Sequence, residues 1–181
     1  MPEAAKGWGY FLAGLIMNLW FCSVMIAVTK NYLFLKLLVG IAALVITNGL
    51  YFNYAYNCAK RDRDLIKYHG VTEDKHRAYK LAALVPIYSY VTYILLFLAK
   101  LGVFGDTQLG NYAFNYFVIL NAKFVPWVNL FTEEIKMSNL TWGGMAGILL
   151  IILIEPLTIA LTYKLTSAEV DVAQIMYKKK K

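Results

Sequence analysis

Long apolar runs separated by short polar ones set the reading of this chain. Residues 8–28, 37–56, 81–99 and 142–163 are each predominantly apolar over about the 20 residues that a helix needs to cross a ~30 Å hydrocarbon core. They predict an all-α membrane protein of four transmembrane helices in two antiparallel hairpins. The first run is too long for the h-region of a signal peptide, and no small-residue cleavage site follows it, so it is expected to stay in the mature chain. Trp8 and Tyr10 sit at its inner end, where aromatic rings favour the headgroup boundary. Residues 29–36 form a tight outer turn.

The connections carry their own signals. The second run becomes polar and aromatic toward its inner end (Thr47, Asn48, Tyr51, Asn53, Tyr54, Tyr56), and no helix breaker follows before Gly70. The helix is therefore expected to run on to about His69, with Gly70 in the left-handed position that ends it. Thr72 is expected as the cap of the next helix, with Glu73 and Asp74 in its first turn and Glu73 paired to Arg77. Pro86 predicts a kink in the third span, because its ring removes a backbone donor and frees the carbonyl of Ala82. Residues 102–141 form a long outer loop. Within it, 111–131 is aromatic but interrupted by Asn115, Asn121, Lys123 and Pro126. Broken or polar backbone facing lipid is costly, so this stretch is expected as a helix at the outer interface. The alternative is a fifth span there, which would send the C-terminus outward.

Composition agrees with lipid as the solvent. Hydrophobic residues make up 60% of the 181, and charged residues 16%, against roughly 45–50% and 25% in a soluble domain. The net charge of +7 would point to nucleic acid on a folded soluble surface, but here topology accounts for it. Four spans with both termini inside place Lys6, the seven basic residues of the 57–80 loop, Lys164 and Lys178 to Lys181 on the cytoplasmic face. Only Lys30, Lys36, Lys100, Lys123 and Lys136 remain outside. The positive-inside rule favours that arrangement, and a five-span chain would invert its lysine tail. The whole of 1–181 reads as a single polytopic domain of the cell membrane. Cys22 and Cys58 fall at different depths and are expected as free thiols.

Glu155 is the sharpest chemical feature. It stands near the middle of the fourth span, without a charged neighbour in sequence and directly before Pro156. A carboxylate at that depth costs on the order of 2.5 kcal/mol or more unless protonated or paired, which makes it a functional candidate. Thr158 and Thr162 continue its helix face, and Asn18, Thr47, Asn48, Ser89, Tyr90 and Tyr93 fall at similar depths. Together they could line an intramembrane polar site for a proton or cation. The simpler reading is a protonated Glu155 hydrogen-bonded across the bundle as glue. Gly143, Gly144 and Gly147 carry GxxxG spacing, more often used in packing within one chain than between copies. Cys58, His69 and His76 match no metal-site spacing, and no catalytic motif or cofactor loop is found. Lys60, Arg61, Arg63, Lys178 and Lys179 are expected to contact anionic inner-leaflet headgroups. Lys178 and Lys179 also fit a dilysine retrieval signal, meaningful only in a eukaryotic cell, and Asn139-Leu140-Thr141 is a sequon abutting the last span.

Cys58-Ala-Lys-Arg-Asp-Arg-Asp-Leu-Ile-Lys-Tyr68, with Thr72-Glu-Asp-Lys75 after Gly70, resembles a stretch in small four-span membrane proteins of Gram-positive, clostridial-type bacteria. Phe124-Val-Pro126-Trp127 is a fainter echo of the same kind. The resemblance implies a bacterial plasma membrane and carries over no activity and no site residues. Two function classes follow. One is a non-enzymatic accessory or scaffold subunit, whose charged loop docks a partner membrane protein or a second copy. The other is a small transport or ligand-binding protein working through Glu155.

Overall fold

The computed structural model describes residues 2–29, 32–105, 107–131 and 139–178, with side chains described for 6–22, 32–105, 108–128 and 139–168. Among these the chain is helical throughout: α1 (Pro2–Thr29), α2 (Leu33–His69), α3 (Arg77–Leu84), α4 (Ile87–Lys100), α5 (Thr107–Leu120), a 3₁₀ turn (Ala122–Phe124), α6 (Val125–Phe131), α7 (Trp142–Ile152) and α8 (Ile154–Lys178). Two stretches, Leu33–His69 and Trp142–Ala168, are long and apolar enough to cross a membrane, and the bent pair α3–α4 adds a third if counted as one span. The four expected spans are thus met in part. The first, 8–28, lies within α1, whose side chains are described only from Lys6 to Cys22.

α2 is the spine. At 37 residues it is about 55 Å long, well beyond a ~30 Å core. It packs along α1 on one side and α8 on the other. It ends where the sequence predicts: Gly70 has φ 64° and its N–H bonds to the Leu65 carbonyl, a conformation that a side chain would oppose. Lys67 and His69 in the last turn complement the helix dipole. The next helix starts later than expected. Thr72 does not cap it; α3 begins at Arg77, and Asp74 instead accepts from the His76 N–H at 3.0 Å and from Lys80 at 2.6 Å. Arg77 is paired across the corner to Asp62 rather than to Glu73. The buried carboxylate offered it two acceptor oxygens, whereas an exposed Glu73 offered little net gain.

Pro86 bends the third span as expected, by 52° between α3 and α4. The freed carbonyl of Ala82 does not stay empty: the Tyr90 hydroxyl donates to it at 3.4 Å. In the last span Thr141 caps α7 by accepting from the Gly144 N–H at 3.1 Å. A local irregularity falls at Leu153, between α7 and α8.

The stretch expected at the outer interface behaves differently. α5 returns along α4, the chain breaks at Asn121–Phe124, and α6 packs against α2. Phe114, Phe117 and Phe124 are fully buried with Leu96, Met145, Ile148 and Ile152 in one apolar cluster. One face of α5 is thus given to the bundle, while Leu109, Tyr112, Tyr116 and Ile119 on its other side stay exposed. With 14 and 7 residues, α5 and α6 are about 21 and 10 Å long, each too short to cross. Together they form a broken helical segment that turns within the bundle at Asn121–Phe124. It is seated by Gly40, where an added Cβ would lie 2.8 Å from the Trp127 ring. Small size matters equally at Gly7, where a Cβ would lie 2.9 Å from Val85, whereas a Cβ on Gly143 would meet only Thr141, at 3.8 Å. A second apolar cluster (Tyr51, Tyr54, Ala55, Leu81, Val85, Ile159) ties α2, α3 and α8 together at the other end.

Candidate intramembrane site

Two breaks in helical structure and one local irregularity in an otherwise continuous helix converge. The bend after Leu84, the 3₁₀ turn at Ala122–Phe124 and the α7–α8 junction bring Ser89, Lys123 and Glu155 into contact. A break exposes backbone polar groups and frees side chains from a single helical face, so it is tolerated in a membrane only where protein or water surrounds it.

Glu155 is fully buried, and its carboxylate forms an ion pair with the ammonium of Lys123, whose side chain is 5% exposed. The second carboxylate oxygen lies 3.2 Å from the Ser89 hydroxyl. That hydroxyl is also 3.0 Å from Asn121 Oδ1, so one proton is shared between two acceptors. Asn121 in turn donates to the Thr92 hydroxyl at 2.8 Å and to the Phe117 carbonyl at 3.1 Å, fixing the turn that presents Lys123. Lys123 also donates to the Tyr88 hydroxyl at 2.9 Å, and Tyr88 and Tyr51 share a hydrogen bond of 2.9 Å. The rings of Tyr51, Tyr88 and Phe124 surround the ammonium at 5.0–5.7 Å, within cation–π range. Each charge therefore has an opposite charge and further polar or aromatic partners, the condition under which a buried pair persists.

The residues singled out in the sequence divide around this centre. Ser89 is in it. Thr158 and Asn48 form their own pair at 2.9 Å between α8 and α2, and Asn18 donates to Thr47 at 2.8 Å between α1 and α2. Tyr90 and Tyr93 reach backbone carbonyls instead, of Ala82 at 3.4 Å and Met145 at 3.0 Å. So the predicted site is not one pocket but one ionic centre flanked by separate helix-to-helix bonds. A small cavity of about 10 Å³, lined by Asn18, Thr47, Tyr51, Tyr88 and Lys123 among others, lies beside the pair. Asn18 Oδ1 is buried and without a partner. That space suits a single water.

Lys123, Asn121, Tyr88, Tyr51 and Thr92 are the members that sequence reasoning missed. Lys123 was expected in the outer loop. Its signal was present in the Asn121-Ala-Lys-Phe-Val-Pro126 break inside an otherwise apolar stretch: a cation there needs an anion at the same depth, and Glu155 is an anion with no cation near it in sequence. Of the expected headgroup contacts, Lys60 is exposed, Arg61 bonds to Asp62 at 3.3 Å and Arg63 faces Asp64 at 3.7 Å. The side chains of Lys178 and Lys179 lie outside the described residues.

No family model, curated protein or solved structure matches the chain.

Proposed function

We propose that the chain is a four-span membrane protein of the cell membrane, both termini cytoplasmic, that works by opening and closing its intramembrane ion pair. It is a small transport or ligand-binding protein for a proton or cation. The observation carrying this reading is the convergence of the α3–α4 bend and the 3₁₀ turn on the buried Lys123–Glu155 pair, with Glu155 beside the irregularity at Leu153. Discontinuous helices meeting at an ionisable site are how compact membrane proteins present binding groups away from either surface. In the conformation described the site is closed, with room beside it for about one water. Apolar residues cover the outside of the bundle: Leu12, Ile16 and Trp20 on α1, Ile41, Val45 and Phe52 on α2, Val91 and Ile94 on α4, Leu157, Leu161 and Leu165 on α8. This inside-out distribution supports α1 as the fourth crossing helix.

A second reading has one observation in its favour. Lys123 and Glu155 are buried, paired with each other and bonded to Tyr88 and Ser89, so they can serve as a static pin for the α5–α6 segment. The protein is then a non-enzymatic accessory or scaffold subunit. Reconstitution into liposomes with a pH-sensitive dye inside, driven by a membrane potential with and without Na⁺, separates the two. The transport reading expects wild-type flux that is abolished in Glu155→Gln and in Lys123→Gln/Glu155→Gln, both still monodisperse. Absence of wild-type flux, or equal flux in the variants, leaves the accessory subunit.

A further inference from the structure

A second polar cluster lies at the opposite end of the bundle, where α2 continues past the apolar region and meets α3 and α8. Asp62 organises it. This buried carboxylate accepts from both the Nε and a terminal nitrogen of Arg77 on α3, from Arg61 at 3.3 Å, and from the Tyr163 hydroxyl on α8 at 2.8 Å. One side chain thereby fixes three helices relative to one another. Between them opens a groove of about 660 Å³, within the usual range of small-ligand sites.

The charge of that groove is unbalanced. Arg63, Lys67, Lys75, Arg77 and Lys164 line it, against Asp62, Glu73 and Asp74. Asp62 is committed to Arg77, Asp74 to Lys80 and the His76 N–H, and Arg63 to Asp64, which leaves Lys67, Lys75 and Lys164 against Glu73. Lys67 and Lys164 lie over the neutral rings of Tyr68 and Tyr79. The groove therefore presents more uncommitted positive than negative charge. Its remaining wall is apolar, with Leu65, Ile66 and Val71 all lining it and exposed. Basic groups beside apolar ones, at the end of a membrane-crossing helix, match a molecule with an anionic head and a hydrocarbon body. They match a free phosphate less well, since it would leave the apolar wall wet.

We propose that this groove binds the headgroup of an anionic glycerophospholipid, its phosphate held by Lys67, Lys75 and Lys164 and its glycerol and upper acyl chains lying against Leu65, Ile66 and Val71. The assignment does not depend on what the Lys123–Glu155 pair does. Native mass spectrometry of the full-length protein in detergent, titrated with phosphatidylglycerol or phosphatidylcholine, tests it. Wild-type protein is expected to retain one phosphatidylglycerol in preference to phosphatidylcholine. Each lysine near a surface contributes roughly a fivefold effect, so Lys67→Gln/Lys75→Gln should weaken retention by more than tenfold. The control Lys36→Gln/Lys100→Gln removes the same charge from positions outside the groove and should leave it unchanged. Equal retention of the two lipids, equal loss in both double variants, or displacement by millimolar glycerol phosphate would each overturn the assignment.

Discussion

A lysine and a glutamate buried together are a liability as soon as either is removed. Loss of one partner leaves an uncompensated charge and costs about 3–5 kcal/mol, whereas replacing both by apolar groups of similar volume is often neutral or better. Lys123→Met should therefore lower the melting temperature of the detergent-solubilised protein by on the order of 10 °C, and Lys123→Met/Glu155→Leu should recover most of it. Additive losses in the double variant would show that the two groups are not coupled. At this scale the sequence was half legible. Glu155 stood out because nothing polar precedes it in α7's last turns. Lys123 did not, because the contact spans a chain separation that no local pattern encodes, and because a lysine between Asn121 and Pro126 reads equally well as a solvated loop residue.

Among the elements, the seating of α6 on α2 depends on close approach at Gly40. A methyl group there would press on the Trp127 ring at 2.8 Å, while one on Gly49 of the same helix would meet nothing within 4 Å. Gly40→Ala should destabilise the protein by about 1–3 kcal/mol through overpacking. In a background with Trp8, Trp20 and Trp142 replaced by Phe, it should also shift the Trp127 emission. Gly49→Ala should gain up to about 1 kcal/mol in helix propensity. Matching responses at both positions would mean that α6 does not sit on α2. The helix ends show what local pattern can and cannot reveal. Gly70 and Pro86 were readable because their constraints are intrinsic to the residue. The start of α3 was not, since Thr72 lost to a tertiary arrangement in which Arg77 reaches back to Asp62. Likewise 111–131 has the composition of an interfacial helix, and only the apolar cluster that receives Phe114, Phe117 and Phe124 turns it inward.

For the whole molecule, the all-helical class and two stretches long and apolar enough to cross a membrane followed from the length and spacing of the apolar runs. The arrangement around the ionic centre did not follow, since the α3–α4 bend, the 3₁₀ turn and the stretch around Glu155 must meet before a site exists. The account rests on one mechanical claim: the ion pair holds the Asn121–Phe124 turn closed, and breaking it opens a path. The most direct measurement is thiol labelling of Ala122→Cys, in a background lacking Cys22 and Cys58, by a membrane-impermeant reagent applied from either side. Ala122 is 2% exposed and adjoins Lys123, so the account predicts no labelling with the pair intact. With Glu155→Gln added, it predicts rapid labelling. Equal reactivity with and without Glu155, whether high or absent, would contradict it.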